Sequence, residues 1–109
     1  MLKGGMQGMM KQVQKLQAEM EKKQAELRNK EVSEESGGGM VKATVNGQKE
    51  LVNLEINEEV ISVEDKEMLE DLIVAAVNKA IESAGKMAEE EMSQLTKGMI
   101  PPGMNIPGL

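Results

Sequence analysis

Three lysines, Lys11, Lys15 and Lys22, recur at i, i+4 and i+11 within a stretch of helical periodicity, which sets their ammonium groups along one line of a helix. A row of fixed positive charges makes and breaks no bonds; it can neutralise a row of anions such as phosphates. Lys3, Lys23 and Arg28 extend the basic stretch along the same segment. Little else in the chain is suited to chemistry. The absence of histidine and cysteine from all 109 residues removes the usual general base, the commonest metal ligands and any disulfide. The acidic groups Glu34-Glu35 and Glu89 to Glu91 lack the alternating ligand positions and the loop glycine of a calcium site. Gly37-Gly38-Gly39 is not followed by the Gly-Lys-Ser/Thr of a phosphate-cradling loop. Neither an enzyme nor a bound metal or cofactor is expected, and no small-molecule substrate.

The formal charge of −6 argues against a polyanionic partner until its distribution is considered. Residues 1–30 hold seven basic and three acidic side chains, a balance of +4, whereas the other 79 residues hold six basic and sixteen acidic ones, a balance of −10. The pattern is a basic arm on an acidic body. A charge run on a lone helix is usually only a solvated face, and the asymmetry of sign is what favours a functional basic stripe.

The elements that must position those lysines are set by periodicity. Leu2, Met6, Met9, Val13, Leu16, Met20 and Leu27 fall at spacings of three or four, interrupted only where Lys23 takes the expected apolar place, and form a heptad-like seam, with Gly4, Gly5 and Gly8 weakening its start. The first helix is therefore predicted over about 9–29. The next stretch, KEVSEES, has the weak alternation of an edge strand. GGGMVKATVNGQKELVNLEIN then reads as a β-hairpin: Val41, Ala43 and Val45 alternate with Met40, Lys42 and Thr44, and Val52, Leu54 and Ile56 with Leu51, Asn53 and Glu55, so each strand offers one apolar and one mixed face. Asn46-Gly47 suits a tight turn, while Gln48 and Lys49 leave open a longer loop with a bulge. The sheet is predicted over about 31–57.

A second helix is predicted over about 63–97, with Ser62 and Asp65 at its start as a capping arrangement and Gly85 as the place where it would loosen or break. Such a helix runs about 50 Å, more than the ~30 Å that crosses a small domain. Its apolar face, centred on Leu69, Leu72, Ile73, Ala76, Val77 and Ala80, is the candidate dimer interface, since one small sheet cannot cover it. The ending, GMIPPGMNIPGL, is excluded from helix by its three prolines, and its Met99, Ile100, Met104, Ile106 and Leu109 suit either a groove of the dimer or another partner. The core must be aliphatic and methionine-rich, because the chain has no aromatic residue. No apolar run approaches membrane-spanning length and no secretory segment is visible, so a cytoplasmic location is the default expectation.

Three blocks, GGGMVKATVNG, DKEMLEDLIVAAVNKA from Asp65 to Ala80, and GMIPPGMNIPGL, resemble the YbaB/EbfC family of small bacterial nucleoid-associated proteins. The similarity spans essentially the whole chain. It implies a single α+β domain with a small antiparallel sheet between helices, a tweezer-like homodimer, and duplex DNA as partner in the nucleoid. Binding by projecting helical arms is part of the same implication, and it points to Lys11, Lys15, Lys22 and Arg28 as arm positions.

Two functional classes compete on this reading. One is a DNA-binding homodimer that grips phosphates with little base readout and alters DNA conformation by bending or bridging it, in nucleoid organisation or gene regulation. The other is a protein-interaction module whose Met-rich arm and apolar tail hold a protein partner. A single-stranded target is disfavoured, because sequence-tolerant strand binding relies on aromatic stacking.

Overall fold

A computed structural model describes the backbone from Leu2 to Met99 and the side chains of residues 7–97. The order is α1 (Leu2–Leu27), β1 (Glu31–Ser36), β2 (Val41–Asn46), β3 (Leu51–Ile56), a 3₁₀ turn (Glu58–Val60) and α2 (Lys66–Met99). The three strands form one antiparallel sheet in the order β1-β2-β3, so the fold is α+β. The C-terminal segment 100–109 lies outside the described residues, and with it the expectation that this tail occupies a groove.

The sheet is organised by β2, whose Val41, Ala43 and Val45 are fully buried. They meet Ala76, Ala80 and Ala84, which recur every four residues on α2 and are also fully buried. Alanine at those positions lets the helix lie close on the strand, so a core without aromatic rings still closes. β1 has little apolar content and is held instead by its ladder to β2, by Ser36 Oγ donating to the Leu72 carbonyl at 2.6 Å, and by the Ser33–Thr44 hydroxyl pair at 2.7 Å. Between β1 and β2 the backbone passes through φ values of 61°, 66° and 92° at Gly37, Gly38 and Gly39, a left-handed run that side-chain-bearing residues rarely adopt.

The hairpin loop departs from a tight Asn-Gly turn. The positive φ falls on Lys49 (64°), and the loop closes through Asn46 N donating to Glu50 O at 3.0 Å. The buried Asn46 side chain organises it: Oδ1 accepts from the backbone of both Gln48 and Glu50, and Nδ2 donates to the Glu50 carboxylate. The ladder then slips between Thr44 and Val45, so that Val45 faces Leu51 and Val52 is the extra residue of a bulge. Gly47 is required here by proximity: a Cβ on it would lie 2.7 Å from both the Cβ and the carbonyl oxygen of Leu27.

Two helix starts are corrected. α1 begins at Leu2 rather than near residue 9, because each residue added to a formed helix gains a hydrogen bond that offsets the cost of Gly4, Gly5 and Gly8. α2 begins at Lys66, after Ser62 Oγ has accepted from Glu64 N in a preceding turn, and Asp65 contributes the first helical carbonyl, to Leu69 N. As expected of the long second helix, α2 runs unbroken through Gly85 to Met99, with the Lys49 stem lying over the glycine.

The two glycines make opposite predictions. Gly47→Ala forces its methyl against the Leu27 Cβ and carbonyl oxygen and should cost about 1–3 kcal/mol. Gly85→Ala places its methyl at an ordinary contact distance of 3.6 Å from Lys49 Cε and should raise stability by about 0.5–1 kcal/mol. Urea denaturation of both variants checks the signs.

Candidate nucleic-acid interface

α1 projects from the sheet as an arm, and the molecule reaches 76 Å along its longest axis against 23 and 17 Å across. The joint lies at the arm's C-terminal end. Leu27 is fully buried, and the last carbonyls of the helix are all taken up. Gln24 O accepts from Gln48 Nε2 at 2.9 Å, Ala25 O and Glu26 O accept from Arg28 N and Asn29 N, and Leu27 O accepts from Lys30 N and from Gly47 N at 2.9 Å. Gly47 N also reaches Lys30 O at 2.8 Å. The hairpin loop thus completes a C-terminal cap that the residues following α1 begin, taking up Gln24 O and adding a second bond to Leu27 O.

Beyond the joint, α1 lies along the outer half of α2, running in the opposite direction. Leu16 and Met20 are half-buried there. α1 thereby shelters the end of α2 that overhangs the sheet, a cover that the sequence alone assigned to a second copy. At 3.6 residues per turn, Lys11, Lys15 and Lys22 fall within about 40° of one another on the side opposite this packed seam. All three are exposed, and among the described residues none is in an ion pair.

The other basic candidates are placed differently. Lys23 turns inward, its Nζ 2.6 Å from Glu91 Oε2 on α2 and 3.9 Å from Glu26 Oε2. Lys30 donates to the second oxygen of Glu91. Hydrogen bonds from Lys23 and then Lys30 hold the Glu91 carboxyl below its ordinary value, and the bond to Glu91 holds Lys23 above its own. Arg28 Nε stands 3.8 Å from Glu50 Oε1 with both side chains largely exposed, a loose pair that leaves the guanidinium accessible. The Lys3 side chain lies outside the described residues. The partnership of Lys30 with Glu91 had no signal in the sequence, since 61 positions separate them and no local spacing connects them.

The six apolar positions on α2 divide between two surroundings. Ala76 and Ala80 are sealed against this chain's own sheet, and Leu69, Leu72, Ile73 and Val77 pack beside them while remaining partly exposed. α2 lies across β1 and β2, with Lys79 Nζ reaching Glu35 O on the β1 side, and leaves β3 at its other flank. Helical spacing turns Ile73, Val74, Val77 and Ile81 toward that β3 flank. There Leu51 and Val52 are exposed and Leu54 and Ile56 half-buried, so β3 and this flank of α2 form an apolar strip that β-sheet order alone leaves uncovered.

Comparison with known proteins agrees with this architecture. The chain matches the YbaB/EbfC DNA-binding family over residues 3–99. It is 52% identical over 104 residues to a nucleoid-associated protein of Alkaliphilus metalliredigens, covering 95% of this chain and 87% of that one. To a nucleoid-associated protein of Thermoanaerobacter pseudethanolicus it is 49% identical over 115 aligned positions, covering 100% and 99%. Among solved structures, an uncharacterized protein of Helicobacter pylori is similar with a TM-score of 0.52 and 27% identity, covering 92% of this chain and all of that one.

The ion-pair cluster at the joint makes stability depend on pH in a definite sense. The lowered Glu91 carboxyl contributes fully above the ordinary carboxylate range, and the contribution is lost as the pH falls through its folded value. The raised Lys23 ammonium contributes below 10.5 and loses its share as the pH rises through its folded value. Glu91→Gln should therefore melt below the parent at pH 7, with the gap closing in acid. A gap that stays constant on acidification would remove this account.

Proposed function

Because the chain belongs to the YbaB/EbfC DNA-binding family, which is not an enzyme family, we propose that it is a nucleoid-associated protein that grips duplex DNA as a homodimer through the outer faces of two α1 arms. The observation that carries this reading is the placement of Lys11, Lys15 and Lys22. They share one exposed side of a projecting helix, while the inward Lys23 and Lys30 are occupied by Glu91. Flexible ammonium groups on a convex helical face suit a row of phosphates, and their binding releases the condensed counterions of the duplex. No aromatic ring is present to stack on an unpaired base. The acidic body is repelled by the duplex and sets the orientation, arms toward DNA. A nucleoid location accompanies this partner; among the described residues no helix is long and apolar enough to cross a membrane.

The apolar strip along β3 and the adjoining flank of α2 supports this face as the contact for a second copy. Edge strands with unpaired backbone groups and apolar side chains seek a partner, and an identical strip on another chain provides one about a twofold axis. Two arms then project from one dimer, and their pairing lets a single particle bend or bridge the duplex. Val74 (59% exposed) and Ile81 (36% exposed) belong to the strip without being central to the chain's own core. Replacing both with Glu should preserve the helical signal while light scattering shifts from about twice the 11.9 kDa chain mass to a single chain. A double variant that stays dimeric would move the interface elsewhere.

If all six outer lysines of a dimer meet phosphates, log K against log salt should have a slope of about −5, at about 0.9 per contact. Replacing Lys11, Lys15 and Lys22 together with Gln should lower duplex affinity by orders of magnitude at moderate salt and flatten the slope toward zero, with the oligomeric state unchanged. Equivalent changes at Lys42, Lys49 and Lys66 should matter less. The competing reading, a protein-interaction module, draws on the exposed apolar Met9, Met10 and Val13 near the arm's tip. It requires retention of a protein partner that salt does not disturb, and it gains if the triple variant keeps both wild-type affinity and slope.

A further inference from the structure

The tip of α1 presents an apolar face that the described part of the chain leaves bare. Met9 is 69% exposed, Met10 61% and Val13 54%, and with Gln14 they line a groove of about 360 Å³. On the same seam, Leu16 and Met20 are half-buried against α2. The difference is one of length. Glu91 stands opposite Lys23, and from there α2 has eight residues left to Met99, about 12 Å of helix. It therefore ends level with residues 15–16 of α1, which continues about 20 Å farther to Leu2.

The sequence beyond Met99 has the composition and the length to fill this groove. Residues 100–109, IPPGMNIPGL, contain no charged side chain, and Ile100, Met104, Ile106 and Leu109 supply apolar surface. Ten residues reach about 33 Å when extended, more than the uncovered length of the arm. Three prolines favour that extended form and remove three of its ten backbone donors. The segment also starts where it is needed, at the end of α2 beside the last covered part of the seam.

We propose that residues 100–109 run back along α1 of the same chain and cover the apolar face of Met9, Met10 and Val13. The arm is then a two-element structure over its whole length: α1 and α2 near the joint, α1 and the tail near the tip. The tail lies opposite Lys11 and Lys15, so it closes the apolar side while leaving the cationic side open, and it removes an exposed patch that would otherwise draw arms of different molecules together. This assignment does not depend on the DNA-binding reading.

Methionine oxidation tests it directly. Brief exposure of the protein to dilute hydrogen peroxide, with peptide mass spectrometry afterwards, gives the oxidation rate at Met9 and Met10. Deleting residues 100–109 should raise both rates several-fold, and Ile106→Asp in the full chain should raise them in the same direction. Rates unchanged in both variants would overturn the proposal. The natural absence of cysteine allows a second measurement, with Gln14→Cys and Asn105→Cys introduced together and joined by a short bismaleimide. A cross-link within one chain, migrating as a monomer under denaturing conditions, is expected. A cross-link only between chains would instead assign the face to the tail of a second copy, and no cross-link would leave the tail elsewhere; either result defeats the proposal.

Discussion

The contact between Gly47 and Leu27 fixes the direction of the arm, and most of the functional geometry depends on that direction. A helix that ends in Leu-Arg-Asn has no glycine to turn its last carbonyls inward, and free carbonyls beside a buried leucine are costly. The hairpin loop solves this by bringing a backbone N–H to Leu27 O and a side-chain amide to Gln24 O. Such an approach leaves no space for a β-carbon at residue 47. The loop itself is held by Asn46, whose buried amide ties together Gln48 and Glu50. Strand, loop and arm are thus one mechanical unit, and α1 leaves the sheet at an angle set by hydrogen bonds rather than by packing alone.

The same joint sorts the charges. Glu91 lies where α2 passes the base of α1 and gathers the two lysines that face inward, Lys23 and Lys30. A carboxylate shared by two ammonium groups is better compensated than a single pair, because each donor fills a different oxygen. The lysines farther out and on the opposite side are beyond its reach. A basic stretch of +4 therefore becomes two populations, one structural at the joint and one facing solvent along the arm.

The core leaves apolar surface of the described residues uncovered. With alanines on α2 against valines and an alanine on β2, the helix sits close but covers only two strands. Small side chains give proximity at the expense of width. β3 is left with apolar residues at an open edge, and the far end of α1 with methionines that α2 is too short to meet. These are different deficits, one of breadth at the sheet and one of length at the arm, and the two proposals answer them separately: a second copy at the sheet and the chain's own C-terminal segment at the arm.

Much of this protein was already determined by its sequence. Periodicity separates the helical arm from the alternating strands, the three glycines mark the left-handed bend before β2, and the lysine spacing places three charges on one line, because each of these is a local relation between neighbouring residues. The weak alternation of KEVSEES was sufficient for a strand once β2 was available to pair with it. Tertiary structure decided what local relations cannot reach. Which lysines stay free depended on Glu91, distant in sequence. Whether Gly47 was a turn residue or a contact residue depended on where Leu27 came to rest, and Gly85 could remain inside a helix because nothing in its surroundings required a break. Ala76 and Ala80 were assigned, with the rest of their apolar face, to a partner chain. Periodicity reports that a face is apolar and says nothing of what will cover it, and only the path of α2 across β1 and β2 turned those alanines inward.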